Sequence, residues 1–300
     1  MVEEDRTMVK VLIVFVIGLV IYIEITWNIA KKNTKRHIVK NKIDLINIGS
    51  TYAYYGLNYD DQKIRGVNLA NVPQYLNYDY ILLKKYIKYM KKDGKVLITL
   101  PDFVFASKNK VKNQVVYYEM LLPWEIYNYN FREHLFYIYK AACEPITHEN
   151  KKRKEKWFGY VASINEKEEH ADRRINDWEN VIGIPSVKNG EITEELKKNI
   201  ACNIDYVLKI IELCRKENVE PVILLFPQSS IMRKKVSLEC LETYLFKPTK
   251  KIIKMTGVRL IDCTKLDEFA DMELYMNSDC FNEVGRKKFT NYVIKQLYEL

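Results

Sequence analysis

Ser50 follows Gly49 at the end of the apolar run Ile43–Ile48. A serine at a strand-to-helix turn exposes its hydroxyl and has backbone amides beside it, which is what acyl transfer asks of a nucleophile and its oxyanion site. The same placement suits a helix N-cap, so position alone does not decide the role. A serine nucleophile also needs a base, and imidazole suits the task because its ordinary pKa is about 6.5. The chain has four histidines, and three of them, His134, His148 and His170, fall between Phe103 and Gly190. The six cysteines are Cys143, Cys202, Cys214, Cys240, Cys263 and Cys280, and no two are closer than twelve residues. That spacing holds no CxxC zinc or redox pair, so free thiols are expected. Glycines are too few and too scattered for a P-loop or dinucleotide fingerprint, and no HExxH is present. The sequence calls for no metal and no cofactor.

These groups need a scaffold, and short apolar runs alternating with helical periodicity supply one. Ile43–Ile48, Gly66–Ala70, Val96–Leu100, Pro221–Phe226 and Val258–Asp262 read as buried strands. Tyr78–Lys92, Glu191–Glu217, Val236–Met255 with a break at Pro248, and Asn282–Leu297 read as helices. The alternation predicts an α/β domain, three layers around a central parallel sheet. Sites in such sheets lie beyond the carboxyl ends of the strands. Five loops should therefore face one crevice: Gly49–Thr51, the turn at Asn68, Pro101 with Asp102, Pro227–Ser230, and Asn277–Gly285. Asp102 is expected to serve its turn. Tyr52, Tyr54, Tyr55 and Tyr59 suit stacking on sugar rings and equally suit a half-buried surface. From about Phe103 to Gly190 the periodicity weakens and the chain reads as an insertion, with Lys151–Lys156 as a solvated face.

Residues 1–10 form a short tail before the run VLIVFVIGLVIYI, Val11–Ile23, which continues past Glu24 to Ile29. Nineteen helical residues span about 28 Å, close to the roughly 30 Å hydrocarbon core. No small-residue cleavage site precedes the basic segment, so an uncleaved single-pass anchor over 11–29 is expected, followed by a basic linker over 30–42. Tyr22 and Trp27 suit the interfacial belt. Lys31, Lys32, Lys35, Arg36, Lys40 and Lys42 follow the helix, and by the positive-inside bias they predict a cytoplasmic domain. The same lysines suit a juxtamembrane tether against anionic lipid.

With 48% hydrophobic and 12% aromatic residues the chain is not a disordered one. Its net charge of +9 is spread along the whole length rather than gathered in a patch, so no nucleic-acid partner is expected.

The order of several segments shifts the reading of Ser50: NIGSTYAYYGLN at Asn47–Asn58, GVNLA from Gly66, YDYILLKKY from Tyr78, VLITLP, and NSDCFNEVGRKKFT at Asn277–Thr290. Together they resemble the SGNH (GDSL-like) hydrolase superfamily over roughly residues 43–300, in particular its membrane-anchored bacterial branch associated with cell-surface polysaccharide. The resemblance implies an SGNH-like domain of the cell envelope, outside the cytoplasm, related to esterases and O-acyltransferases of surface glycans. It implies Ser50 as nucleophile, with Ser50 and Asn68 at the oxyanion, and as partners the membrane and an acylated glycan or a membrane-bound polysaccharide assembly. The family's late loop has the form Asp-x-x-His-Leu-Asn-x-x-Gly; Asn282 and Gly285 match, but Cys280 stands at the His and Asn277 at the Asp. A thiol is a poor proton acceptor and asparagine cannot balance an imidazolium. Three outcomes are open: Cys280 is itself the nucleophile, a histidine of the insertion folds over the crevice, or catalysis is impaired or lost and the crevice binds a ligand or partner. Losing both the His and the Asp in one loop fits the last.

Overall fold

The apolar runs become strands, and the computed structural model describes residues 2–33, 41–109, 115–118, 120–143 and 161–298. The expectations for linker residues 34–40, for His148 and for the Lys151 to Lys156 run lie outside the described residues. In chain order the elements are α1 (Val2–Asn33), β1 (Ile43–Ile48), α2 (Thr51–Gly56), β2 (Gly66–Asn68), α3 (Leu76–Tyr86), β3 (Met90–Leu100), α4 (Phe131–Cys143), α5 (Ile164–Asp177), α6 (Glu194–Lys216), β4 (Glu220–Leu225), α7 (Ser230–Lys235), α8 (Leu238–Leu241), α9 (Lys247–Thr256), β5 (Arg259–Asp262) and α10 (Glu283–Tyr298). The chain forms two compact units. One comprises Val39–Asn113 and Glu155–Leu300, the other Met1–Ile38 and Gln114–Lys154.

The first unit is α/β. Its sheet has the order β2-β1-β3-β4-β5 with every pairing parallel. β1, the Val96–Leu100 end of β3, and β4 are largely apolar and buried because both faces of an inner parallel strand are covered. Right-handed crossovers fix the layers. The chain steps one way from β1 to β2 and the other way from β2 through β3 and β4 to β5. That places α2 on one face and α3, α6 and α9 on the other. The packing of α3 and α9 on α6, and of α10 on α2, agrees. The reversal of direction lies between β1 and β3, where crevices form in such sheets.

Two expected boundaries move. Tyr78–Lys92 does not stay helical; α3 ends at Tyr86, and β3 begins at Met90. The polar stretch Lys91–Gly94 is a bulge within the strand, with Asp93 at φ +61° and its amide bonded to Asn218 O, so the pairing with β1 slips between Ile43 and Leu45. The excursion from the sheet unit is also narrower than 103–190. Phe103, Ala106, Ala171, Trp178 and Ile184 are buried in the sheet unit's core, leaving 114–154 in the other unit.

In that second unit α4 packs against α1. Helix α1 contains Met8–Ile25, one stretch long and apolar enough to cross a membrane, with none of its side chains buried by the rest of the chain. The side chain of Trp27 is outside the described residues.

Candidate active site

The turn after β1 is fixed from beneath. Gly49 takes φ +137°, and a Cβ there would stand 1.7 Å from Thr99 Oγ1, so only glycine fits. Thr99 Oγ1 donates to Ile48 O, and Gly49 N–H donates to Asp79 Oδ1 at 2.8 Å. Ser50 sits at the N-cap position of α2, yet its hydroxyl caps nothing; instead Oγ accepts the Gln74 amide at 3.2 Å. Gln74 is itself held by its side chain, whose Nε2 donates to Asp79 Oδ1 at 2.5 Å and to Leu69 O at 3.3 Å. Asp79 is buried, and burial raises its carboxyl to about 7.

A cavity of about 340 Å³ opens over this turn. Ser50, Tyr52, Gln74 and Tyr75 line it from the β1 and β2 side, Asp102 and Phe103 from the end of β3, and Arg174 and Trp178 from α5 and the turn after it. Asp102 accepts Gln228 Nε2 at 2.9 Å, and burial raises its carboxyl to about 6. Ser50 and the loop after β3 thus meet in one crevice, as the parallel sheet predicts.

Asn68, Pro227–Ser230 and Asn277–Gly285 do not line the cavity. Asn68 is a bracket. Its Nδ2 donates to Ala53 O and Leu57 O, both at 2.9 Å, while Oδ1 accepts Asn47 Nδ2 and the Ala70 amide. Both amide hydrogens are spent on backbone carbonyls, so none is left for an oxyanion.

Helix α5 clamps the late loop at three points on one face. Lys167 Nζ donates to Met272 O, His170 Nδ1 meets Ser278 Oγ, and Arg174 Nε donates to Asp279 Oδ2, each at 2.7 Å. Asn277 braces the loop from within, its Oδ1 accepting the amides of Asp279 and Cys280 at 3.1 and 2.7 Å. Its Nδ2 approaches His170 Nε2 at 3.4 Å. An amide nitrogen only donates, so Nε2 accepts and the proton of the neutral ring stands on Nδ1, directed at Ser278. Burial lowers the pKa of His170, which favours this neutral form. A histidine of the expected insertion therefore does reach the late loop and touches Asn277. It is spent there. Among the described residues no imidazole hydrogen-bonds Ser50.

Cys280 is buried, donates to Asp279 Oδ1 at 3.4 Å, and is pushed well above the usual thiol range, first by burial and then by the Asp279 charge. It is a thiol, not a thiolate. Arg174 was not singled out from the sequence, nor was Trp178. The signals were there: a Ser163-x-x-Glu166 capping box opens α5, and His170, Arg174 and Trp178 recur every four residues along one face.

No family model and no curated protein matches the chain. Among solved structures it is similar to a GDSL-like lipase from Bacteroides thetaiotaomicron, at a TM-score of 0.39 and 8% identity, covering 91% of this chain and 95% of that one. Among the described residues no cluster of metal-ligating side chains occurs.

Proposed function

We propose that the chain is a membrane-tethered, SGNH-like protein of the cell envelope whose crevice binds an acylated, oxygen-rich ligand of the surface-glycan class without turning it over through Ser50. The observation that carries this is the company Ser50 keeps: a backbone amide on Oγ and, among the described residues, no side-chain base bonded to it. His170 is held on the late loop by Ser278 and Asn277, and Cys280 keeps its proton. The cavity wall favours an oxygen-rich ligand, with the terminal amino groups of Arg174 meeting no acceptor among the described residues. In this reading α1 is the anchor and the sheet unit is extracytoplasmic.

The test is the purified full chain in detergent, offered a serine-directed phosphonate and a small acyl ester. No labelling and no turnover above a Ser50→Ala control are expected, with binding to an acetylated oligosaccharide; labelling abolished by Ser50→Ala sinks the reading. One observation favours a second reading, an active esterase: Asp102 lines the same cavity as Ser50 and titrates at about 6, within range of a general base. Turnover lost in both Ser50→Ala and Asp102→Asn would establish it. For orientation, Cys202 is exposed on the sheet unit. An impermeant thiol reagent should modify it in intact cells, and protection until lysis would place the domain inside.

A further inference from the structure

The unit that contains α1 exposes an unusual surface. Leu122, Trp124, Tyr127, Phe131, Phe136 and Tyr139 are all exposed, Trp124 at 79% and Phe136 at 67%. Apolar side chains scattered singly over a surface need no explanation, but six within one short segment do. On α4 the buried positions are His134 and Ile138, one turn apart, and the opposite face carries Arg132, Phe136, Tyr139 and Lys140. Helix α4 is not hiding its aromatic residues from water. It turns one set inward against Tyr118 and Tyr129, which stack on and bond His134, and turns another outward between two cations.

An outward face that mixes aromatic rings with Arg and Lys is the composition of a bilayer interface, where rings sit among head groups and long basic chains reach phosphates. The occupant is indicated by continuity: α4 packs against α1 within one compact unit, and α1 carries Met8–Ile25. Thirteen residues of α4 reach about 20 Å, short of the roughly 30 Å needed to cross, so the helix lies in the plane of the membrane rather than through it. We infer that residues 122–140 form a second, non-spanning membrane contact beside the anchor, with Trp124, Phe136 and Tyr139 inserted at the head-group level and Arg132 and Lys140 on lipid phosphates. This does not depend on what the cleft of the sheet unit binds.

The experiment places the full chain in nanodiscs of phosphatidylcholine and phosphatidylglycerol, with and without bromine on the acyl chains. The chain has four tryptophans, so the Trp124 signal is the difference between the full chain and Trp124→Phe. That component should emit to the blue of a water-exposed indole and lose most of its intensity in the brominated discs. A second reporter, Phe136→Trp in the Trp124→Phe background, should behave alike and reads the face directly if the first variant folds poorly by circular dichroism. An unquenched, red-emitting signal from both positions overturns the inference. So does a blue shift without quenching that appears only in discs holding two copies, which would assign the patch to a second chain.

Discussion

The first turn and the late loop of the sheet unit have been treated differently. Around Gly49 and Ser50 the constraints bond the backbone of the turn or come from backbone: Thr99 against Ile48 O, Asp79 on the Gly49 amide, the Gln74 amide on Ser50 Oγ. Around Asn277–Cys280 the constraints are side chains, His170 and Arg174 of α5 with Ser229 on Ser278 O, while Lys167 holds Met272 O just upstream. The shape of the first turn is held whether or not its hydroxyl ever reacts, whereas the late loop has its one nearby imidazole and its one carboxylate drawn off into packing. The two regions are thus held by different means, the first turn by groups that bond its backbone and the late loop by side chains, those of α5 reaching it from more than a hundred positions away.

Variants that break each region test that contrast, and the largest effect belongs to the turn. Gly49→Ala should cost about 4 kcal/mol or more in a urea titration, because the new methyl meets Thr99 and the backbone is in the left-handed region. The pH dependence of stability comes next. Burial raises Asp79 to about 7 and Asp102 to about 6 from an ordinary 3.8, so the folded state binds these protons more tightly than the unfolded chain. Their contribution is greatest below pH 4 or so and is lost as pH rises towards about 7, by on the order of 3–4 kcal/mol for each. Asp79→Asn should flatten that slope in melts between pH 4 and 8; an unchanged slope would show that Asp79 is ionised in the fold.

In the late loop, Arg174→Gln strands the buried Asp279 carboxylate. The expected loss is about 2–3 kcal/mol, below the full cost of breaking a buried pair because the Arg174 side chain keeps 29% of its surface exposed. Adding Asp279→Asn should recover most of it, and a strictly additive double variant would deny the coupling. Asn277→Asp should raise the titration midpoint of His170 by NMR, since a carboxylate then faces Nε2, without conferring ester turnover. Smallest of all is Ser50→Ala, within about 1 kcal/mol of the parent because a single 3.2 Å bond is lost.

Much of the frame was legible. Ile43–Ile48 closing on Gly-Ser, and PVILLF as an inner strand, follow from apolar runs bounded by turn residues, and their pairing in one parallel sheet follows from the alternation with helices. The start of β3 was hidden because Lys91–Gly94 has the composition of a turn and bulges out of the pairing, so that only Met90 and the run from Lys95 onward pair with β1. Helix α5 was hidden for a different reason. Its charged residues are spent on the late loop more than a hundred positions away, and the capping box and four-residue spacing mark a helix without marking what its face meets. Asn68 is the last residue of β2, and spacing alone could not tell that its amide would be consumed by two carbonyls of α2 and its neighbour.

The pairing of β3 with β4 has a consequence for how the molecule is made. Lys95 and Glu220, bonded across these strands, are 125 positions apart. During synthesis β1, β2 and β3 emerge as a set of three, and its β3 edge waits for the whole of 114–154 and two further helices before its neighbour is translated. Closing so long a loop is slow, and an exposed parallel edge is prone to pair with the wrong strand meanwhile. By then α1 has long since left the ribosome, so its destination is decided before the sheet is complete.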